Sequence, residues 1–222
     1  MSENRIDRHH ARWSGPIRGI AAAALSALVL VGCGETPEQM LASAKSYIAK
    51  QDFDAASIQL KNALQEDANI AEARFLLGRI NLRQGNVTGA VKELERAMEL
   101  GYARDTVAAE LAPALVRAGQ FDRVLAEFGD PRVSEPATVA IVHTALGDAH
   151  LARRDVDKAQ SAYLEALEAN AEEHGARIGF ARTAAIKGDL QAAEEAVRQV
   201  IARAPQIAEA HALLADLLAG RG

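Results

Sequence analysis

The sequence predicts an all-α protein, a solenoid of helix-turn-helix hairpins behind an N-terminal secretory segment. Apolar residues recur at helical rather than alternating spacing, and small residues recur with a period of 34. The 222 residues include 48 alanines but only 4% aromatic residues, so small side chains must build the core. A content of 49% hydrophobic and 25% charged residues excludes a disordered chain. The formal charge of −5 argues against nucleic acid as a partner, because binding phosphate requires a surplus of Lys and Arg.

Residues 1–32 have the three parts of a secretory signal. Four arginines precede an uncharged apolar run at residues 20–31, which leads into small residues. A helix over that run covers about 18 Å, less than the roughly 30 Å of hydrocarbon that a spanning helix crosses. We therefore expect the signal to be cleaved instead of remaining in the membrane.

Cys33 is the single cysteine of the chain, so it cannot form an intramolecular disulfide. The segment Leu30-Val31-Gly32-Cys33 resembles the bacterial lipobox. That resemblance implies a lipoprotein, cleaved before Cys33 and held on a membrane by the acylated cysteine. Because Gly34 and not Asp follows, the resemblance also implies the periplasmic face of the outer membrane. The alternative is a plain signal peptide with an incidental cysteine.

A short tether at residues 33–36 leads into three series of residues that keep a common period. The series are Ala44, Gly78, Ala112, Gly147, Ala181 and Ala215; Ala56, Ala90, Val124, Ala159 and Ala193; and Leu60, Leu94, Phe128, Tyr163 and Val197. Small residues let paired helices approach closely where they cross. Three series in step predict repeated pairs of helices, each helix about 13 residues long.

The turn between the two helices of a unit has its own pattern. Gly85-Asn86 and Gly188-Asp189 combine a glycine, which suits a left-handed backbone, with a side chain that caps the next helix. Gln51-Asp52 and Arg154-Asp155 keep the cap without the glycine. These four turns place the inter-helix boundaries in the first, second, fourth and fifth units.

The third unit departs from the pattern. Pro113 falls inside its first helix, and its second helix is predicted to stop at Phe128. Gly129-Asp130-Pro131 and Pro136 then predict a loop, where the period slips by one residue. We expect a bend in the superhelix at this loop.

These features resemble the tetratricopeptide repeat (TPR), a helix-turn-helix unit of 34 residues, although Asn81 and Ala184 stand where that family prefers an aromatic residue. The resemblance implies a TPR α-solenoid, a right-handed superhelix of helix-turn-helix hairpins. Its units are 37–70, 71–104, 105–138 (degenerate), 140–173 and 174–207, with a sixth first helix in 208–222. Leucines in that last helix follow the pattern of an internal helix, so it is either a terminal cap or part of a truncated array.

In TPR geometry the first helices line a concave groove that binds protein or peptide segments. The groove positions implied here are Leu41, Lys45, Ile48, Phe75, Arg79, Leu82, Arg83, Val116, Arg117, Thr144, Asp148, Leu151, Ile178 and Arg182. Apolar residues lie among cationic ones, a surface suited to an extended or helical peptide. The alternative is a set of ordinary solvated side chains without a ligand.

Three segments in the first two units narrow the resemblance. They are residues 58–64 (IQLKNAL), 71–78 (AEARFLLG) and 92–101 (KELERAMELG). They are similar to the N-terminal region of TPR lipoproteins of the PEP-CTERM/exosortase system. This resemblance implies a cell-envelope role beside exosortase-sorted proteins and exopolysaccharide production, without enzymatic activity.

Candidate chemistry is sparse, so the sequence predicts no enzyme, no cofactor and no metal. His143 and His150 share a helix face but occupy packing positions, and no further ligand is evident. The glycines at 175–179 lack the Lys-Ser/Thr ending of a phosphate-binding loop. Two other interpretations stay open: a pilotin-like or outer-membrane-assembly lipoprotein, and the accessory repeat region of a transferase whose catalytic domain is absent.

Overall fold

The computed structural model describes residues 35–130 and 132–220, in which eleven α-helices form and no strand does. The helices are α1 (Pro37–Ala49), α2 (Phe53–Glu66), α3 (Ala71–Arg83), α4 (Val87–Glu99), α5 (Arg104–Arg117), α6 (Phe121–Phe128), α7 (Pro136–Ala152), α8 (Val156–Ala169), α9 (His174–Ile186), α10 (Leu190–Arg203) and α11 (Ala208–Ala219). The predicted signal at 1–32, Cys33 and Gly34 lie outside the described residues. Within the described ranges, no helix is both long and apolar enough to cross a membrane.

Consecutive helices pair as hairpins, α1 with α2 through α9 with α10, and α11 packs on the last pair. Each first helix from α3 onward also contacts the first helix of the next unit. Helices further apart in the chain do not form substantial contacts with one another in the described part. This pattern of neighbours is that of an α-solenoid, which confirms the predicted all-α fold.

The three periodic series form the core between the paired helices. Every member of the second and third series is at most 1% exposed. The first series supplies the space: a Cβ on Gly78 would lie 2.7 Å from Leu94 Cγ, and one on Gly147 would lie 2.5 Å from Tyr163 Cε1. Small residues therefore sit where the helices of a hairpin cross, as predicted.

The inter-helix turns also follow the prediction. Gly85 and Gly188 have φ of 77° and 87°, while Gln51 and Arg154 adopt φ of 60° and 63° without being glycine. The next side chain accepts a hydrogen bond from the backbone N–H three residues on, at 3.1 Å for Asp52, 3.0 Å for Asn86, 3.4 Å for Asp155 and 3.0 Å for Asp189. One turn geometry thus serves four units, with or without glycine.

The third unit is irregular where predicted, with one correction. Helix α5 runs through Pro113, and α6 has eight residues and ends at Phe128. Pro136, however, is the first residue of α7 and not part of the loop, so the fourth unit begins four residues before the predicted 140. Proline suits this position because its fixed φ is helical and its missing N–H would have no partner there.

The loop before α7 is held against α5 by hydrogen bonds. Asp105 Oδ2, on α5, accepts hydrogen bonds from the backbone N–H groups of Ser134 (3.2 Å) and Glu135 (3.1 Å).

Candidate functional site

Twelve of the fourteen predicted groove residues are exposed or half-buried on the first helices. The other two are corrections. Phe75 is 4% exposed because its ring stacks on Tyr102, with centroids 4.8 Å apart, and Ile178 is 3% exposed in the core of the fifth unit. These two side chains pack the solenoid and offer little surface to a partner. The apolar members that remain, such as Leu41, Leu82 and Val116, pack one side against the core.

Ion pairs between successive first helices hold three of the predicted cations. Lys45 Nζ lies 2.8 Å from Glu72 Oε2, Arg79 Nε lies 3.2 Å from Glu110 Oε1, and Arg182 pairs with Glu209. All six side chains are at least about a third exposed, so each pair stabilises the fold by at most about 1 kcal/mol. Their larger effect is on the groove, where these cations are already neutralised.

Two predicted cations have no acidic partner within the described part of the chain. Arg83 lies over the ring of Phe53, with its guanidinium carbon 5.0 Å from the centroid. Arg117 is exposed at the end of α5 and joins no ion pair among the described residues. Both guanidinium groups are therefore available to an acidic group of a partner.

The groove deepens between the first helices of the third and fourth units. This α5–α7 cleft has a volume of about 460 Å³. It is lined by Ala109, Pro113, Val116, Arg117, Ile141, Thr144, Ala145, Asp148 and Glu173. Four of these residues were predicted from the sequence: Val116, Arg117, Thr144 and Asp148. A smaller cleft of about 120 Å³ brings together Ile48, Arg79 and Arg83 near the first turn.

Asp148 forms the polar part of the α5–α7 cleft. Its Oδ1 accepts a 2.7 Å hydrogen bond from the hydroxyl of Tyr163, which reaches it from α8. Burial raises the pKa of the Asp148 carboxyl above its usual 3.8, while the Tyr163 hydrogen bond and the Arg182 guanidinium act in the opposite direction. Burial also raises the pKa of Tyr163, so its hydroxyl stays protonated and donates.

Two glycines make room for the Tyr163 ring. A Cβ on Gly179 would lie 2.3 Å from Tyr163 Cε1, and one on Gly147 would lie 2.5 Å from the same atom. The ring is fully buried between α7 and α9, and only its hydroxyl end reaches the carboxylate of Asp148. The repeat pattern predicts that Tyr163 lies in the core, but it does not predict the hydrogen bond to Asp148, because the two residues lie on different helices.

Sequence reasoning also missed Pro113, Ile141 and Glu173 as cleft residues. Pro113 is predicted only as a helix irregularity, although it stands 34 residues after Arg79 and 35 before Asp148. That spacing was the available signal, since equal positions on successive first helices face the same groove.

His143 and His150 do not form a metal site in the structure. His143 Nδ1 lies 2.8 Å from Glu165 Oε2 on α8, and burial lowers the pKa of His150. In the part of the chain that the structure describes, no three His, Cys, Asp or Glu side chains are arranged to hold a metal ion.

A row of helical hairpins with an open groove of mixed charged and apolar side chains defines a helical-repeat binding scaffold. A family model described as "Tetratricopeptide repeat" matches residues 41–104 and 144–206, which is more than half of the chain. The chain belongs to the tetratricopeptide repeat family. The stretch between the two matches contains the third unit, which was predicted to be degenerate. No curated protein matches the chain.

Solved structures with the same fold are similar at low sequence identity. A TPR protein from Parabacteroides merdae is 20% identical with a TM-score of 0.67, over 83% of this chain and 73% of that one. PilW, described as a widely conserved type IV pilus biogenesis factor, is 19% identical with a TM-score of 0.66, over 82% and 86%. YrrB, described as a TPR protein with an unusual peptide-binding site, is 18% identical with a TM-score of 0.57, over 78% and 90%. At these identities the likeness shows the fold.

Proposed function

We propose that this protein is a lipid-anchored scaffold of the bacterial cell envelope whose groove binds protein or peptide segments. The observation that carries the binding role is the α5–α7 cleft, where apolar walls adjoin charged side chains on the open face of the first helices. TPR proteins are generally non-catalytic scaffolds, which supports binding rather than catalysis. The peptide-binding site named for YrrB supports the same role for this fold.

The groove role is tested by charge reversal at the two cations that have no acidic partner. The double variant Arg83→Glu, Arg117→Glu should capture at least tenfold less envelope protein than the parent in a cross-linking pulldown. The matched control, Lys61→Glu with Lys92→Glu, makes the same charge change on exposed positions of α2 and α4. Both variants should melt like the parent protein by circular dichroism. Equal capture by the two variants would remove the groove from the proposal.

The membrane anchor that we propose is an acylated Cys33, because the sequence around it resembles a lipobox. Cys33→Ser should move the protein from the membrane fraction to the soluble periplasm, because one acylated residue carries the attachment. Persistent membrane association of Cys33→Ser would show that another element attaches the chain.

The envelope pathway that we favour is the PEP-CTERM/exosortase system, with its sorted proteins and exopolysaccharide. Support comes from the similarity of residues 58–64, 71–78 and 92–101 to lipoproteins of that system. An adjacent exosortase or polysaccharide-export gene cluster is the expected gene context. Its absence, together with unchanged protein sorting in a deletion strain, would overturn this assignment.

A second candidate is a pilotin-like or outer-membrane-assembly role, brought forward by the shared fold of PilW. Pilus or outer-membrane-assembly genes beside this one, and loss of the corresponding assembly on deletion, would favour it. A third candidate, of another class, is the accessory repeat region of a transferase, which a catalytic domain in the same reading frame would reveal.

A further inference from the structure

One position on the first helices repeats in every unit and sets the charge of the groove. Its occupants are Lys45, Arg79, Pro113, Asp148 and Arg182, at spacings of 34, 34, 35 and 34 residues. In the first, second and fifth units it holds a cation that pairs with an acid on the next first helix. We call these three ion pairs, Lys45–Glu72, Arg79–Glu110 and Arg182–Glu209, the rungs of the groove.

The rung is missing between the fourth and fifth units. Asp148 holds the position that Lys45 and Arg182 hold elsewhere, so the charge is reversed. The acid partner is also gone, because Gly175 stands 27 residues after Asp148, at the spacing that separates Lys45 from Glu72 and Arg182 from Glu209. An anionic group is thus present where the first, second and fifth units place a cation, without a side chain at the position of the acid partner.

No cation of the described chain fills this gap. Asp148 joins no ion pair with Lys, Arg or His among the described residues, and Arg182, which acts on it electrostatically, is already paired with Glu209. A second carboxylate lines the same cleft: that of Glu173, whose Oε1 would lie 3.3 Å from a Cβ on Gly175. The cleft therefore presents two carboxylates.

Apart from Arg117 and Thr144, the rest of the cleft wall is apolar. Pro113 replaces the cation of the third unit, and Val116, Ile141 and Ala145 extend the wall beside it. This combination matches the shape of a long basic side chain, whose methylene stem packs on apolar surface while its charged end meets a carboxylate. Arg117, which is exposed, lies where a flanking acidic residue of the same segment can pair with it.

We propose that the α5–α7 cleft binds a lysine or arginine side chain of the partner segment, which pairs with Asp148 in a cleft that also contains the carboxylate of Glu173. This inference rests on the proposed peptide-binding function and specifies the chemistry of the partner. It assigns Asp148 as the residue that determines specificity and Tyr163 as the residue that positions its carboxylate.

The test uses the full-length chain in detergent micelles and a phage library of random short peptides. Peptides enriched on the parent protein should share a Lys or Arg. Replacing that residue by norleucine, which keeps the stem but not the charge, should weaken binding about tenfold or more, as for other charge-assisted hydrogen bonds. The Asp148→Asn variant should bind the original peptide about tenfold more weakly than the parent protein does. Replacing the basic residue of the peptide by norleucine should not weaken its binding to this variant further, because Asp148 and the basic residue form one pair.

The variants separate this inference from the proposed function. Asp148→Asn keeps an oxygen that accepts from Tyr163, and Glu168→Gln, on an exposed position of α8, is the matched control that should leave affinity unchanged. Enriched peptides without a basic residue, whose affinity Asp148→Asn does not change, would overturn this inference and leave groove binding intact. A library in which the parent protein enriches nothing would overturn both.

Discussion

At the scale of single residues, ionisation of the Asp148 carboxyl opposes folding. Its pKa is raised by burial, so the folded state disfavours the charged form more than the unfolded chain does. Below the ordinary Asp pKa of 3.8 both states are neutral at this residue and nothing is lost. As the pH rises through 3.8 and then through the raised folded-state pKa, stability is lost, and above both values the loss is complete.

The first prediction follows from this loss of stability with rising pH. Asp148→Asn removes the buried charge while keeping an acceptor for Tyr163, so it should raise the melting temperature at pH 7. This gain in melting temperature should shrink as the pH is lowered towards 3, and it should disappear below pH 3. Thermal unfolding across that pH range checks the prediction, with Glu168→Gln as a control without the same trend. A lower melting temperature for Asp148→Asn at pH 7 would contradict it.

The second prediction concerns the space around the Tyr163 ring. Gly179→Ala places a methyl group 2.3 Å from the ring, so the ring or the helix must shift, at a cost of about 1–3 kcal/mol. Gly175→Ala is the matched control on the same helix, since its methyl group would meet only the side chains of Glu173 and Thr144, both at 3.3 Å. Urea unfolding should separate the two variants. Equal stability would show that the ring moves freely.

At the scale of the elements, two of the inter-helix turns are strained. Gln51 and Arg154 adopt φ of 60° and 63°, a conformation that non-glycine residues take at a cost of roughly 1–2 kcal/mol. Gln51→Gly and Arg154→Gly should therefore each raise the free energy of unfolding by about 0.5–1 kcal/mol, after the larger chain entropy of glycine is subtracted. The reverse change, Gly85→Ala at φ 77°, should lower the free energy of unfolding by a similar amount. Urea titrations measure all three variants, and a loss of stability in both glycine variants would contradict the strain argument.

The elements also show what a sequence can predict. The period of 34 and the capping residues placed the hairpins correctly, and the end of α6 at Phe128 was predicted as well. These features depend on local chemistry that repeats along the chain. Proline was ambiguous, because Pro136 fits a loop and the first turn of a helix equally well, and the structure shows the second.

The candidate site was less predictable, because tertiary contacts decide it. Phe75 holds the same position in its unit as Leu41 and Thr144, which are half-buried. Phe75 is nevertheless buried, because Tyr102 from the loop between α4 and α5 stacks on it. Repeat spacing identifies a face of a helix but not a neighbour that covers it. The bond between Tyr163 and Asp148 likewise depends on the crossing of two helices.

At the scale of the described array, stability comes from neighbouring units. Contacts join each helix to the next one or to the next first helix, so the free energy of unfolding is close to a sum of unit and interface contributions. Variants in distant units should then combine additively. The third unit, with its short α6, has the smallest hairpin interface of the five.

The last prediction concerns α11, which lacks a second helix within the described residues. Ala215 is exposed, whereas the other members of its series are buried, and Leu218 is 46% exposed, whereas Leu115 at the same position is fully buried. A second helix with a polar outer face, appended after the turn that follows α11, should cover these residues and raise the melting temperature by several degrees, because burying one large aliphatic side chain contributes about 1.5–3 kcal/mol. The control is the same helix with aspartates on its packing face, which should give no gain. If both appended helices leave the melting temperature unchanged, α11 does not offer a packing surface, and the nearest-neighbour account fails at this end of the array.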